Sequence, residues 1–274
     1  MKFSICSWTF GNIPLEEVIQ FSSKIGYDEI EVGAAVDGHD WSHIKQLAKN
    51  NGITIRGINA DASFLRPETD LANDTEEVRQ QAIDHFKKQL DIGAFLEAEY
   101  IVLAPAAPGR SIPFHSEHQD RLWAIDSIKQ LAPYAKKYGI TIVVEPLNRY
   151  ESCLVNNAED TKKFLKDVNE SNVKSMLDTF HMNIEEKNFE EPFVELKDLL
   201  ETVHVADSNR QGLGYGHIPF DEVAKGLKKI DYNKTMTLES LVPGRNPFDA
   251  SRTNMDFIYQ YAEDSLKLMH KYFS

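Results

Sequence analysis

Cysteine is nearly absent. Cys6 and Cys153 are the only two among 274 residues, and neither belongs to a C-x-x-C pair, so a disulfide-stapled scaffold and a thiolate-rich zinc centre are both poor descriptions of this chain. Positive charge is also in deficit: 30 Lys and Arg stand against 43 Asp and Glu, a formal net charge of −13, with an isoelectric point near 5.2. Polyanions and acidic membranes are gathered by clustered Lys and Arg, so that balance opposes a nucleic-acid or membrane partner. No apolar run approaches the roughly 18 to 20 residues that a membrane span requires. The opening residues, Met1-Lys2-Phe3-Ser4-Ile5-Cys6, enter an apolar alternation with no long signal core and no small-residue cleavage site. The expectation is a cytoplasmic protein that acts on a small molecule. A dinucleotide-binding G-x-G-x-x-G after the first strand is missing too, since Cys6-Ser7-Trp8-Thr9 stands there instead.

What the chain has is a repeated strand-then-helix pattern. Strands are expected at Phe3 to Trp8, Glu29 to Gly33, Ile53 to Ile58, Tyr100 to Ala104, Ile140 to Glu145, Val173 to Asp178, Thr202 to Ala206 and Thr235 to Glu239. Helices are expected between them, among them one capped by Asp74 and running to about Ala98, one from His118 to Tyr138 and a last one from Ser251 to Tyr272. Eight such units without a composition break point to an α/β fold, a closed (β/α)₈ barrel forming a single domain over residues 1–274. A doubly wound open sheet is the second choice. Asn59 to Asn73 is a long connection of mixed character, the kind that often serves as a lid.

Charge appears where strands end. Glu145 closes the run Ile140-Thr-Ile-Val-Val, followed by Pro146; Asp178, His204 and Glu239 occupy the corresponding places in three later strands, 26 to 35 residues apart. Each alone has an ordinary explanation, a helix cap or a hydrogen-bonded core histidine. Together they are four ionisable groups on buried strands, and one divalent cation neutralises them jointly. Three carboxylates and one imidazole form an oxygen-rich set suited to Mn²⁺, Mg²⁺ or Co²⁺.

Three segments carry a resemblance. Glu145-Pro-Leu-Asn-Arg-Tyr-Glu151, Leu177-Asp-Thr-Phe-His-Met-Asn-Ile-Glu-Glu186 and His204-Val-Ala-Asp-Ser-Asn-Arg210 resemble the signature segments of the ketose 3-epimerases (D-tagatose and D-psicose 3-epimerases), within the xylose-isomerase-like barrel superfamily. The resemblance implies a divalent ion, Mn²⁺ first and Co²⁺ or Mg²⁺ as alternatives, held by Glu145, Asp178, His204 and Glu239. It implies that Glu151, His181 and Arg210 contact substrate oxygens, and that Glu145 and Glu239 exchange the C3 proton of a ketose through a cis-enediolate. A homodimer or homotetramer is also implied.

The first half of the chain is less telling. Trp8 is a candidate for stacking on the sugar. Arg66, Arg110 and Arg245 lie in loops expected on the metal side, where arginines can hold a phosphate or carboxylate, and Gln211-Gly-Leu-Gly-Tyr-Gly-His217 is glycine-rich but lacks the P-loop lysine. The competing functions are an inosose, hydroxypyruvate or sugar-phosphate isomerase using the same groups, an apurinic endonuclease-like DNA-repair hydrolase, and a non-catalytic sugar-binding barrel. The charge of −13 weighs against the hydrolase.

Overall fold

In the computed structural model, which describes residues 1–36, 38–244 and 255–274, eight parallel strands close into a barrel in sequence order, with the eighth hydrogen-bonded back to the first. They are β1 (Lys2–Cys6), β2 (Glu29–Gly33), β3 (Thr54–Asn59), β4 (Tyr100–Leu103), β5 (Thr141–Val144), β6 (Val173–Asp178), β7 (Leu200–Val205) and β8 (Thr235–Leu238). The outer layer comprises α1 (Leu15–Ile25), α2 (Trp41–Asn51), α3 (Glu76–Leu96), α4 (Glu117–Lys137), α5 (Ala158–Val168), α6 (Thr179–Glu185), α7 (Glu191–Leu196), α8 (Phe220–Lys229) and α9 (Asp256–Phe273).

Strand alternation divides the core into two compartments. Ile30, Val32, Ile101, Leu103, Ile142, Val144, Leu177, Val203, Val205, Met236 and Leu238 all belong to the large apolar core shared with the helices. Tyr100, Val102, Val143 and Met176, on the opposite parity, form a separate small cluster. That parity also carries many polar residues: Ser4, Glu29, Glu31, Asp178, Thr202, His204, Thr235 and Thr237 are all buried. The barrel interior is therefore filled largely with hydrogen-bonding groups, and each needs a partner inside it.

One such arrangement depends on a glycine. Gly57 pairs with Glu31 on one side and Tyr100 on the other, and a Cβ there would overlap the Tyr100 ring. The missing side chain lets Tyr100 cross β3 and donate its hydroxyl to Glu31 Oε1 at 2.5 Å.

Several boundaries differ from the sequence expectation. The first strand ends at Cys6, and Ser7–Phe10 form a 3₁₀ turn, so Trp8 sits in a turn at the barrel mouth. The third helix is capped at Thr75, without a side-chain cap; Asp74 is not its cap, and Asn73 Oδ1 accepts the Thr75 N–H instead. The seventh strand begins at Leu200, two residues earlier than expected, and α6 was not foreseen. Residues 251–254, where the last helix was expected to begin, lie outside the described residues, as does Arg245.

Replacing Gly57 by alanine is expected to cost about 1–3 kcal/mol, the usual penalty for overfilling a packed core, because the Tyr100 ring must move off Glu31. A chemical denaturation midpoint that matches the wild type would show that the ring has room to spare.

Candidate active site

The carboxyl ends of strands β5 to β8 carry the four charged residues to one place. Glu145 follows β5 and continues its ladder by donating its N–H to Leu103 O at 2.9 Å; Glu239 does the same after β8, to Val205 O at 3.0 Å. Asp178 ends β6 and His204 is the penultimate residue of β7. One ligand atom from each of Glu145, Asp178, His204 and Glu239 lies within 4.8 Å of the others, and all four residues are buried. Three carboxylates and an imidazole at that spacing fit a hard divalent cation.

Charge compensation dominates the electrostatics. Arg210 donates from one guanidinium nitrogen to Asp178 Oδ2 and from another to Glu239 Oε2 at 2.6 Å. His204 Nδ1 lies 2.8 Å from Glu239 Oε2 and its Nε2 lies 2.9 Å from Glu31 Oε2. Trp8 donates its indole N–H to Glu239 Oε1 at 2.5 Å. Burial alone would raise the Glu239 carboxyl, but His204 and Arg210 outweigh it and hold the group far below the usual carboxylate range. Burial, with Glu239 and Asp178 adding to it, pushes Glu145 well above that range. Burial opposes a charge on His204 as well, yet Glu31 and Glu239 on either side push it well above the ordinary imidazole value. Several like charges sharing a dry pocket produce this split, which a divalent cation would relieve.

Asp178 performs two tasks. Its Oδ1 accepts the Phe180 N–H at 2.7 Å and so caps α6, while Oδ2 faces Arg210. That cap places His181 in the first turn, buried, with Nε2 3.8 Å from Glu145 Oε1. The Asn148 backbone N–H donates to His181 Nδ1 at 3.2 Å. A main-chain N–H can only donate, so Nδ1 is an acceptor and the proton of the neutral ring sits on Nε2, facing the pocket. Burial favours that neutral ring. Asn148 Nδ2 also donates to Glu151 Oε1 at 2.8 Å, tying together two of the expected substrate contacts. Arg149 pairs with Glu185 and not with Glu151.

The anion-binding candidates resolve differently. Arg66 is bound through both guanidinium nitrogens by Asp61. Arg110 is buried between Asp70 Oδ2 at 2.6 Å and Asp120 Oδ2 at 2.7 Å. It is a strut: Gly109 N–H donates to Glu151 O at 2.7 Å and Cys153 N–H to Arg110 O at 2.9 Å, so its loop is laced to the one carrying Glu151. The glycine-rich loop wraps a buried carboxylate, Asp207, which accepts the N–H groups of Ser208, Gly214 and Ile218 at 2.7, 2.8 and 3.0 Å. Those amides are committed to Asp207 and are not a phosphate cradle.

Sequence reading missed Glu31, Tyr100 and Asn148. Glu31 was legible only as one of two acidic residues in Glu29-Ile-Glu-Val32, an alternation that ordinarily marks a strand with one wet face. Asn148 was in plain view inside the segment from Glu145 to Glu151, with no signal of its own.

Residues 19–261 match the family model described as the xylose isomerase-like TIM barrel. A ketose 3-epimerase from Arthrobacter globiformis is 34% identical over 239 residues, covering 85% of this chain and 80% of that one. A D-psicose 3-epimerase from Agrobacterium fabrum is 32% identical over 231 residues, 82% of this chain and 78% of that one. A crystal structure of a D-psicose 3-epimerase in the presence of D-fructose superposes with a TM-score of 0.89 over 99% of both chains, at 27% identity.

Replacing Arg110 with leucine strands two buried carboxylates and is expected to destabilise the fold by about 3–5 kcal/mol. The shift should appear in the denaturant midpoint with little change in slope; a loss below about 1 kcal/mol would mean that the pairing behaves as a surface ion pair.

Proposed function

Because the chain belongs to the xylose isomerase-like TIM barrel family and, within it, to the ketose 3-epimerases, we propose that it inverts carbon 3 of a ketose by removing and returning a proton. It is an isomerase. The observation that carries this reading is the convergence of Glu145, Asp178, His204 and Glu239 within 4.8 Å, with the two glutamates arriving from strands that are not neighbours in the barrel.

These four residues would hold a divalent ion, Mn²⁺ by preference, with Co²⁺ and Mg²⁺ sharing the ligand type. When bound, the ion supplies Lewis acidity toward the substrate carbonyl and neutralises the carboxylates. The protein does the rest. One of Glu145 and Glu239 takes the C3 proton, the resulting enediolate is flat at C3, and the other glutamate delivers a proton to the opposite face. His181, its proton on Nε2, is a hydrogen-bond donor toward a substrate oxygen and serves as an electrophile, not as the base. Glu151, tethered by Asn148, orients a hydroxyl, and Arg210 and Trp8 line the same mouth.

The substrate is best read as an uncharged sugar. Both described arginines that were candidates for an anion, Arg66 and Arg110, are already paired with carboxylates, Asp61 for the first and Asp70 and Asp120 for the second. An excess of acidic groups in the pocket disfavours a phosphate or carboxylate by simple repulsion. The aldose–ketose isomerase alternative uses the same groups and differs in where the proton returns.

The test is metal-depleted protein reloaded with Mn²⁺ and incubated in D₂O with a panel of free ketoses, ketose phosphates and keto-acid sugars. Deuterium at C3 together with the C3 epimer of a free ketose is the expected result. Deuterium at C1 or C2 with an aldose product would replace the epimerase by an isomerase. At saturating Mn²⁺, Glu145→Gln and Glu239→Gln should each lower kcat by roughly 10² to 10⁴, and residual exchange of one epimer without inversion would mark the surviving glutamate as the base for that epimer.

A further inference from the structure

Glu31 has no part in the reading above, yet it is the most deeply placed carboxylate in the barrel, with no exposed surface. It sits on β2, outside the run of strands β5 to β8 that carries the ligand candidates, and points along the inward parity. Its two oxygens have separate partners. Oε1 accepts the Tyr100 hydroxyl at 2.5 Å and the Thr237 hydroxyl at 2.9 Å; Oε2 faces His204 Nε2 at 2.9 Å. The Tyr100 hydroxyl is in turn 3.4 Å from Thr202 Oγ1. Three strands thus supply donors to one carboxylate, which is held in a fixed orientation inside the barrel.

A buried carboxylate is costly unless its hydrogen bonds are all made. An apolar residue at position 31 would fill the barrel as well and need none of them. What the carboxylate adds is directional: it accepts the proton of Nε2, and the other ring nitrogen, Nδ1, is then left with its lone pair toward the pocket that Glu145, Asp178 and Glu239 share. Histidines that bind metals generally donate their second N–H to such a group, which fixes the tautomer, fixes the ring plane and makes the ligating nitrogen more basic.

We propose that Glu31 is the positioning residue for His204, holding it as an Nδ1 ligand and so setting the affinity of the site for its divalent ion, with Tyr100 and Thr237 holding Glu31 in turn. The assignment rests on the metal reading given under the proposed function. It differs in kind from the role of Glu29, the other buried glutamate of β2, which accepts from Thr235 Oγ1 at 2.6 Å at the far end of the barrel.

The experiment is a Mn²⁺ titration of the metal-free full-length protein, followed calorimetrically, for the wild type, Glu31→Gln and Glu29→Gln. Glu31→Gln keeps the size of the side chain, removes its charge and exchanges one of its two acceptor oxygens for a donor NH₂. It should weaken Mn²⁺ binding roughly 10- to 100-fold, at unchanged stoichiometry, with Glu29→Gln close to the wild type. Loading with Co²⁺ should give a visible spectrum that differs between wild type and Glu31→Gln, which mere loss of stability does not produce. Unchanged Mn²⁺ affinity in Glu31→Gln, or an equal loss in Glu29→Gln, overturns the assignment and leaves the metal site standing. Failure of the wild type to bind Mn²⁺ overturns the metal reading itself and this assignment with it. A measurement on the wild type covers the case in which Glu31→Gln does not fold: nitrogen-15 spectra of His204 with diamagnetic Mg²⁺ should show the proton on Nε2, and a proton on Nδ1 overturns the proposal.

Discussion

Compensation of carboxylates inside a closed barrel is the constraint on which the rest of this structure depends. Glu31, Glu145, Asp178 and Glu239 are all buried toward one end of the barrel, where the attraction or repulsion between two charges a few ångströms apart is several times its value in water. Arg210 is the cation that answers Asp178 and Glu239, and His204 lies between Glu31 and Glu239 with one ring nitrogen toward each. The need propagates outward. Glu31 requires Tyr100, Tyr100 requires the gap left by Gly57, and the strand pairing shifts register between Ile30 and Glu31 where these groups meet. A barrel packed with branched apolar layers would be free of these demands; this one keeps its apolar packing mostly outside the strands and accepts a polar lumen.

The loops at the carboxyl face follow the same rule with different residues. Arg110 bridges Asp70 and Asp120, Arg66 pairs with Asp61, and Asp207 gathers the amides of the glycine-rich loop. Polar groups near the mouth that look available in the sequence are spent on holding the mouth in shape. This matters for recognition because a charged tail on a substrate has to displace an existing partner, whereas hydroxyl groups need only add to one. Of the groups directed at the pocket, His181 offers an N–H on Nε2 and Glu145 an acceptor oxygen 3.8 Å from it, which favour short, directional hydrogen bonds.

The four ligand candidates are legible in the amino-acid sequence itself, since a charge at the end of an apolar strand has few structural explanations and four at matching strand ends have fewer. The barrel is legible for a similar reason: β2 and β6 match their expected bounds, because both are framed by helices with clear stops. Glu31 is not. Alternation in Glu29-Ile-Glu-Val32 says that the two faces differ, but not which face is wet, and in a closed barrel with helices outside the polar face is the enclosed one. Helix α6 escaped because its cap, Asp178, was already accounted for as a ligand; the carboxylate has two oxygens and uses them separately. The arginine roles escaped because their partners lie 40 and 10 residues away from Arg110, and no local pattern encodes such a pairing.

The two glutamates of the proposed reaction are not equivalent. Glu239 is held by Trp8, His204 and Arg210, whereas Glu145 faces His181 at 3.8 Å, and with no ion bound their proton affinities are driven in opposite directions. Such asymmetry cannot favour one epimer at equilibrium, because that ratio belongs to the two sugars in water and the protein is unchanged by turnover. It acts on the two directions through their rate constants and binding steps, which are bound together by the fixed equilibrium ratio. A glutamate that gives up its proton reluctantly slows its own delivery step in one direction and assists abstraction in the other. In the proposed reaction the surroundings of Glu239 and Glu145 therefore bear only on how fast each epimer is converted, and the relative stability of the two sugars decides where the reaction stops.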